Sequence, residues 1–261
     1  MDLSLSGRHA LVGGASRGIG RAAAEALAAL GAEVTLFART RADLEAVRDA
    51  LPRDEGQSHF CFAADSADLA RLAAEVAARV ERRPVHIMVN NTGGPPDGPA
   101  HSAAVDAYRL AFEQHVLANA VLLEAVLPGM REAGYGRIIN VISTSVKQPI
   151  PGLGVSNTIR GAVANWAKTL ATELGPMGIT VNNVLPGFTD TERLQSLIAA
   201  RAGQAKLTIE EMADRLRAGV PARRFGTAHE VAAAIAFLAS PAAAYISGIN
   251  LPVDGGRTAC L

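Results

Sequence analysis

The 261-residue sequence predicts an α/β fold in which a single doubly wound parallel sheet carries helices on both faces. Short apolar runs alternate with longer segments of helical periodicity, and repeated strand–helix units of this kind build parallel sheets. A glycine-rich turn at residues 13–20 separates the first apolar run from the first helical segment. The length suits one α/β domain, and no repeat or linker divides it. We therefore expect one domain over residues 1–261.

The alternation predicts each element in chain order. Strands are expected at residues 9–12, 33–38, 58–63, 85–89, 137–142, 180–185 and 249–253. Helices are expected at residues 19–30, 42–51, 69–80, 103–127, 157–174 and 228–238. Between the last two strands, a segment rich in arginine and glutamate is expected to form a helical lid over about residues 190–219.

The turn at residues 13–20 has the composition of a phosphate-binding loop. Gly14 can adopt the positive φ of a tight turn, while Gly18 and Gly20 allow the backbone to approach a pyrophosphate. The free N–H groups of the following helix favour an anion there, whereas the alternative is a glycine-rich turn without a ligand. The pattern predicts a Rossmann-type dinucleotide site with candidate contacts at Gly14, Ser16, Arg17, Gly18, Ile19 and Gly20.

The residue after the second predicted strand indicates which dinucleotide binds. Arg39 stands at about the twenty-residue offset where an NAD-binding protein carries an acid for the ribose 2′-hydroxyl. Arg39 and Arg17 together could hold a 2′-phosphate with two permanently charged, fork-shaped groups. Two solvated surface arginines are the alternative. We therefore expect NADP(H) as the cofactor, with NAD(H) less favoured.

Four motifs resemble the short-chain dehydrogenase/reductase family over nearly the whole chain. The spacing Gly14-x-x-x-Gly18-x-Gly20 resembles the family's Thr-Gly-x-x-x-Gly-x-Gly, with Gly13 in the place of the threonine. The second motif, Asn90-Asn91-Thr92-Gly93, resembles the family's Asn-Asn-Ala-Gly. The third, Pro186-Gly187-Phe188-Thr189-Asp190-Thr191, resembles Pro-Gly-x-x-x-Thr. The fourth, Val253-Asp254-Gly255-Gly256, resembles the family's C-terminal signature. The resemblance implies an oxidoreductase, although a fold alone does not establish a reaction.

The resemblance also implies further cofactor contacts. Asp65 corresponds to an aspartate that contacts adenine, although it could instead cap the next helix. Asn90 and Asn91 could line the crevice and also hold strand ends together. The loop after the sixth strand corresponds to the one that holds the nicotinamide carboxamide; its candidate residues are Pro186, Gly187, Thr189 and Thr191.

The catalytic set departs from the family pattern of Asn, Ser, Tyr and Lys. Only Ser143 is retained; Ser156 stands for the tyrosine, Arg160 for the lysine and His115 for the asparagine. Ser143 precedes Ser156 by thirteen residues, the family's usual interval, so the register leaves no tyrosine at this position. The chain therefore resembles a divergent subgroup, similar to β-ketoacyl-carrier-protein reductases, that lacks the Tyr-x-x-x-Lys pair.

These replacements change the expected chemistry. A serine hydroxyl is a much weaker acid than a phenol, so Ser156 cannot supply the proton that ketone reduction needs. Arg160 can orient and polarise, and it can bind ribose hydroxyls, but its expected pKa above about 12 excludes ordinary acid catalysis. His115 could be a substitute proton source near neutral pH, or simply a packed helix histidine. We expect a reductase of a carbonyl, imine or enone group; a catalytically silent NADP(H) sensor and a lyase or isomerase are the alternatives.

Composition limits the partners. Lys plus Arg and Asp plus Glu are 25 each, so no net field attracts nucleic acid or an anionic membrane. The apolar runs are expected to be too short to cross a bilayer, and we expect a cytoplasmic protein with a small-molecule substrate. Cys61 and Cys260 are expected to be free thiols without zinc-site spacing. The alanine-rich helices at residues 103–127 and 157–174 are expected to pair across a two-fold axis in a homodimer or homotetramer.

Overall fold

The computed structural model describes residues 1–54 and 56–260 and confirms the predicted fold class. Within these residues the main-sheet strands are β1 His9–Gly13, β2 Glu33–Ala38, β3 Phe60–Ala63, β4 Ile87–Asn90, β5 Gly136–Val141, β6 Ile179–Pro186 and, after two short strands, β9 Asn250–Val253. The short strands β7 Thr189–Asp190 and β8 Gly226–Thr227 pair with each other. All neighbours in the order β3-β2-β1-β4-β5-β6-β9 are parallel, and the order reverses direction between β1 and β4. A crevice at the carboxyl ends of β1 and β4 is where such sheets bind ligands.

Helices connect the strands in the order that was predicted. They are α1 Gly18–Ala29, α2 Arg41–Ala50, α3 Leu69–Val80, α4 Val105–Phe112, α5 Ala118–Glu132, α6 Gly154–Leu174, α7 Glu192–Ala205, α8 Ile209–Ala218 and α9 Ala228–Ala239. A π-helical turn, Glu113–Leu117, joins α4 to α5, so these elements form one long helix that the prediction began two residues early and ended five residues early. The predicted lid segment contains two helices, α7 and α8.

Two strands begin later than predicted because histidine rings replace backbone partners. The ring Nδ1 of His59 accepts the N–H of Val34 at 3.1 Å, and β3 starts only at Phe60. In the same way the Nδ1 of His86 accepts the N–H of His9 at 3.1 Å, and β4 starts at Ile87. The predicted starts at residues 58 and 85 were therefore wrong by two residues each.

Alternate residues of the strands point into two separate hydrophobic layers. Val12 faces the layer that contains Leu27 of α1 and Ile235 of α9, whereas its neighbour Leu11 faces the opposite layer. The opposite layer contains apolar side chains of α3, α5 and α6, among them Leu122 of α5. Helices therefore cover both faces, and the carboxyl edge of the sheet remains for the site.

One helix meets the length and composition expected of a membrane span. Val105–Glu132 contains an 18-residue window with a mean hydropathy of 1.4, of which 39% is buried. Arg109, Glu113 and Glu124 interrupt the apolar residues of this helix, as expected, although its length and mean hydropathy meet the criterion. Leu122, Val126 and Met130 of this helix pack against the sheet. These three side chains place one face of the helix in the hydrophobic core.

A row of asparagine side chains ties four strands together. The Nδ2 of Asn90 donates to the Oδ1 of Asn140 at 2.8 Å, and the Nδ2 of Asn140 donates to the Oδ1 of Asn183 at 2.9 Å. The Nδ2 of Asn183 then donates to the Oδ1 of Asn250 at 2.8 Å. These residues are direct neighbours in the strand registers, so the row fixes β4, β5, β6 and β9 relative to one another. The prediction that Asn90 helps to hold strands together agrees with this geometry.

Candidate active site

The glycine turn lies at the carboxyl end of β1, in the crevice of the sheet. Gly14 and Gly18 have φ values of +57° and +55°, which favour glycine. A Cβ at Gly14 would lie 2.7 Å from the Nδ2 of Asn91, so the loop also needs glycine for space. The same Nδ2 donates to the carbonyl of Gly13 at 3.2 Å. Asn91 thus holds the loop from the end of the neighbouring strand β4.

The start of α1 has the properties of a phosphate site. Its N-cap residue, Arg17, makes no side-chain capping bond, and the first turn carries no acidic residue. Helices α7, α8 and α9, in contrast, are capped by the side chains of Thr191, Thr208 and Thr227. The uncapped N–H groups of α1 suit an anion such as a pyrophosphate. Ser16 and Ile19 are partly exposed in this loop.

The two arginines expected at the 2′-phosphate have different surroundings. Arg17 pairs with the Glu192 carboxylate at 2.5 Å, in a bridge whose side chains are 61% and 72% exposed. Exposed pairs of this kind stabilise by no more than about 1 kcal/mol, so a phosphate could displace the glutamate. The exposed Arg39 side chain makes no ion pair or hydrogen bond to the described residues. Arg39 follows β2, whose Phe37 lies opposite Gly13 in the sheet.

Asp65 lies at the same edge of the sheet. It follows β3, and its carboxylate accepts the N–H of Ala67 at 3.0 Å. The cap of α3 is Asp68, which accepts the N–H of Arg71 at 3.1 Å. The alternative that Asp65 caps this helix was therefore wrong.

Ser143 and Arg160 lie near the end of β5, and Ser156 precedes Arg160 on α6. The Oγ of Ser143 accepts the N–H of Ser145 at 3.1 Å and starts a short 3₁₀ turn. Ser156 and Arg160 are both buried and lie one turn apart on one face of α6. Arg160 donates from its NH1 group to the carbonyl of Val141 at 2.7 Å, two residues before Ser143. The structure thus places Arg160 against the end of β5, close in sequence to Ser143, with Ser156 one turn away on α6.

His115 lies in the π-helical turn and is 2% exposed. Its Nδ1 is 2.6 Å from the hydroxyl oxygen of Thr92, in the loop after β4. Burial first, and then the positive charges of Arg160 and Arg193, lower the pKa of His115 to about 3. The expectation that this histidine titrates near neutrality was wrong, because a charged imidazolium would be buried beside two guanidinium groups.

Arg160 keeps its charge. Burial first, and then the charge of Arg193, lower the pKa of Arg160 to about 10, below the expected value but still well above neutral pH. Arg193 itself donates to the carbonyl of Gly94 at 3.3 Å. No carboxylate pairs with Arg160 or Arg193 in the described part of the chain. The site therefore carries a positive field that favours negative charge on a bound molecule.

The loop after β6 lies at the same carboxyl edge of the sheet and contacts the segment after β9. The N–H of Gly187 donates to the carbonyl of Val253 at 3.0 Å, and a Cβ at Gly187 would lie 2.7 Å from the Cα of Asp254. The hydroxyls of Thr189 and Thr191 donate within this loop, to the carbonyls of Gly187 and Thr189. Pro186 ends β6 directly before them.

The lid side contacts the glycine loop through Thr191. A Cβ at Gly18 would lie 3.3 Å from the Cγ2 of Thr191, so this loop and the start of α7 approach each other closely. Together with the bridge between Arg17 and Glu192, this contact closes the crevice on one side.

Sequence reasoning did not single out Thr92 or Arg193. Thr92 stands where the Asn-Asn-Ala-Gly pattern has alanine, and that departure was a visible signal of an added hydroxyl. Arg193 gave no signal, because 99 residues separate it from its partner Gly94.

Comparison with known proteins identifies the family. Residues 14–258 match the family described as enoyl-(acyl carrier protein) reductase. The chain is 34% identical over 260 residues to gluconate 5-dehydrogenase of Gluconobacter oxydans (strain 621H), covering 99% of this chain and 97% of that protein. The chain belongs to the short-chain dehydrogenase/reductase family. It is accordingly an NAD(P)-dependent oxidoreductase of the short-chain dehydrogenase/reductase type.

Two further short-chain dehydrogenases/reductases extend the comparison. The 3-oxoacyl-(acyl-carrier-protein) reductase of Escherichia coli (strain K12) is 35% identical over 255 residues, covering 97% of this chain and 98% of that protein. L-sorbose reductase from Gluconobacter frateurii, solved with NADPH and L-sorbose, superposes with a TM-score of 0.93 at 30% identity over the full length of both chains. The NADPH in that relative agrees with the cofactor predicted from the sequence.

Proposed function

We propose that this protein is an NADP(H)-dependent reductase of an enone, an imine or a similarly activated carbonyl group. One observation carries the proposal: Ser156 and Arg160 occupy the first turns of α6, where the family has its tyrosine and lysine. With the pKa of His115 at about 3 and that of Arg160 at about 10, no candidate catalytic residue is a good proton donor at neutral pH. A substrate that needs no such donor suits this site.

The cofactor side of the proposal rests on the crevice. The uncapped start of α1 would hold the pyrophosphate, and Arg39 with Arg17 would hold the 2′-phosphate. The remaining contacts would come from the ends of the other strands, at Asp65, Asn90, Asn91, Pro186, Gly187, Thr189 and Thr191, with Arg160 at the ribose. When bound there, NADPH supplies a hydride.

The chain's own residues would stabilise the charge that this hydride leaves on the substrate. In an enone the hydride adds to the β-carbon, the π electrons move to the oxygen, and water then protonates the α-carbon. The hydroxyl of Ser143 would donate a hydrogen bond to that oxygen, and the buried charge of Arg160 would stabilise it. An iminium ion needs no proton from the site, but the positive charges of Arg160 and Arg193 oppose its binding, so the enone suits the site better.

A catalytically silent NADP(H)-binding protein is the second candidate, and the loss of the phenol favours it. Substrate-dependent turnover separates the two. We expect purified protein to consume NADPH with 2-cyclohexenone or 1-pyrroline and much more slowly with cyclohexanone. No substrate-dependent consumption with any enone or imine would support the silent protein.

Variants test the proposed roles. Ser143→Ala and Arg160→Ala are each expected to lower turnover about 10²-fold, the loss typical for one group that stabilises an oxyanion. Ser58→Ala is the matched control, because this exposed serine precedes β3 at the opposite edge of the sheet. Circular dichroism verifies that each variant keeps its fold. Unchanged turnover in Ser143→Ala would contradict the assignment.

A further inference from the structure

A cavity of about 340 Å³ adjoins the proposed reaction centre. Thr144, which follows Ser143, forms part of its wall, and so does Phe188, which follows Gly187 of the nicotinamide loop. The loop of residues 148–151, helices α7 and α8 with the following Gly219, and the segment after β9 complete the wall. A substrate whose carbonyl meets Ser143 could extend past Thr144 into this cavity. The volume is at the small end of the usual range for ligand sites, about 300–1,000 Å³, and suits a compact molecule.

Three arginines line this cavity without a carboxylate among the lining residues. They are Arg201 of α7, Arg215 of α8 and Arg257 after β9. In the chain as described, none of the three forms an ion pair. Because no carboxylate lines the cavity, these side chains place three positive charges together in a concave site.

The acidic residues of α8 are engaged away from the cavity. Glu210 and Asp214 both pair with Arg217, only two residues beyond Arg215. Glu211 accepts hydrogen bonds from Thr208 in the capping box of the helix. The cavity arginines therefore have no local carboxylate from α8 to neutralise them.

Arg257 is held in position on the cavity wall. Its guanidinium lies 4.4 Å from the centre of the Phe188 ring. The nearby Asp254 carboxylate accepts the N–H groups of Gly256 at 3.0 Å and Thr258 at 2.8 Å, so it is tied to the backbone turn. Burial first lowers the pKa of Arg257; the charge of Asp254 opposes that shift, and the charge of Arg201 adds to it by a smaller amount. A bound anion would relieve the repulsion between these two guanidinium groups.

We propose that this cavity recognises an anionic group of the substrate, either a carboxylate or a phosphate. The same compact molecule carries the carbonyl, enone or imine that reacts at Ser143. Guanidinium groups match the oxygens of both anions in paired hydrogen bonds. The identity of the reacting group rests on the proposed function, whereas the recognition of charge rests on the arginines alone.

Calorimetric titration tests the recognition of charge without turnover. Saturating NADP⁺ fills the cofactor site and cannot donate hydride. The probes are two matched pairs, 4-oxocyclohex-2-ene-1-carboxylate with its methyl ester, and dihydroxyacetone phosphate with dihydroxyacetone. We expect at least one anionic probe to bind about tenfold or more tightly than its neutral partner, as one charge-assisted contact provides. The pair with the larger ratio distinguishes a carboxylate from a phosphate site.

Single variants assign the effect to the cavity. Arg201→Gln, Arg215→Gln and Arg257→Gln are each expected to weaken the anionic probe about tenfold and to leave the neutral probe unchanged. Arg71→Gln is the matched control, because this arginine is exposed on α3, away from the cavity, and forms no ion pair among the described residues. Arg257 packs on the Phe188 ring, so Arg257→Gln could fail to fold. Arg215 is exposed, and Arg215→Gln tests the cavity in that case.

The outcomes separate this inference from the proposed function. Equal binding of both anionic probes and their neutral partners, or an equal loss in Arg71→Gln, would overturn the anionic site. Preference for the anion without any NADPH consumption by enones or imines would retain the site and contradict the reductase. NADPH consumption with equal kcat/KM for the acid and its ester would retain the reductase and overturn the anionic site.

Discussion

Asn140 is expected to be the most sensitive position in the row of asparagines that joins β4, β5, β6 and β9. Its side chain is 0% exposed and bonds to Asn90 on one side and Asn183 on the other. Replacement by leucine, of similar size, leaves the Nδ2 of Asn90 and the Oδ1 of Asn183 without partners. Each buried polar group left unpaired costs about 1–3 kcal/mol, so Asn140→Leu should lower the free energy of unfolding by about 2–6 kcal/mol.

The ends of the row provide graded comparisons. Asn250→Leu removes a partner only from the Nδ2 of Asn183, and the expected loss is about 1–3 kcal/mol. Asn90→Leu should be the mildest change, because the buried Oδ1 of Asn90 has no hydrogen-bond partner within the described residues. Leucine removes that unmet acceptor while leaving the Oδ1 of Asn140 unpaired. The expected order of destabilisation is Asn140, then Asn250, then Asn90.

Urea unfolding, followed by circular dichroism and by the fluorescence of Trp166, measures these losses. Comparable m-values in all variants are required before the free energies are compared. Asn165→Leu is the control, because Asn165 is exposed on α6, and it should change stability by less than about 0.5 kcal/mol. If Asn140→Leu is no more destabilising than Asn90→Leu, the reasoning about shared partners is refuted.

Three further predictions concern the cofactor, pH and assembly. In a fluorescence titration, NADP(H) should bind at least about tenfold more tightly than NAD(H), and Arg39→Asp should abolish or reverse that preference. Equal affinities of the parent protein for the two cofactors would contradict the assignment. In the folded protein the pKa is about 4 for His9 and about 3 for His115, below the ordinary value of 6.5. As the pH falls from 7 to 5, the unfolded chain therefore binds protons that the folded protein does not, and the free energy of unfolding should fall by about 2 kcal/mol per histidine. Urea unfolding at each pH measures this, and a flat profile would be inconsistent with buried neutral histidines. Leu110 and Phe112 of α4 are 48% and 41% exposed, and we expect a partner subunit to cover them in a dimer or tetramer. Phe112→Glu should therefore weaken the association of subunits. Sedimentation of the parent protein as a monomer at micromolar concentration would exclude the assembly.

The element order and the cofactor crevice could be predicted because their signals are local. Alternating apolar and helical periodicity is written in neighbouring residues, and the positive φ of Gly14 and Gly18 follows from the glycines themselves. The late starts of β3 and β4 could not be predicted, because they depend on the rings of His59 and His86 reaching another strand. Strand ends are decided by such distant contacts.

The electrostatic properties of the site were also beyond local reasoning. The π-helical turn buries His115 between two guanidinium groups that come from α6 and α7, and only the folded arrangement lowers its pKa to about 3. The cavity arginines come from α7, α8 and the segment after β9, so no single stretch of sequence shows them together. The positions of Ser143, Ser156 and Arg160 could be assigned, because the family resemblance relates them by fixed intervals along the chain.

Turnover of a matched enone and ketone, 4-oxocyclohex-2-ene-1-carboxylate and 4-oxocyclohexane-1-carboxylate, tests most directly whether the site works without a side-chain acid. The parent protein and the double variant Ser156→Tyr/Arg160→Lys are compared by kcat/KM from NADPH consumption. We expect the parent to favour the enone, and the double variant to raise ketone reduction by up to about 10²-fold, the lower range for a restored general acid, with little change for the enone. Brisk ketone reduction by the parent, unaffected by Ser143→Ala, would contradict the proposed site.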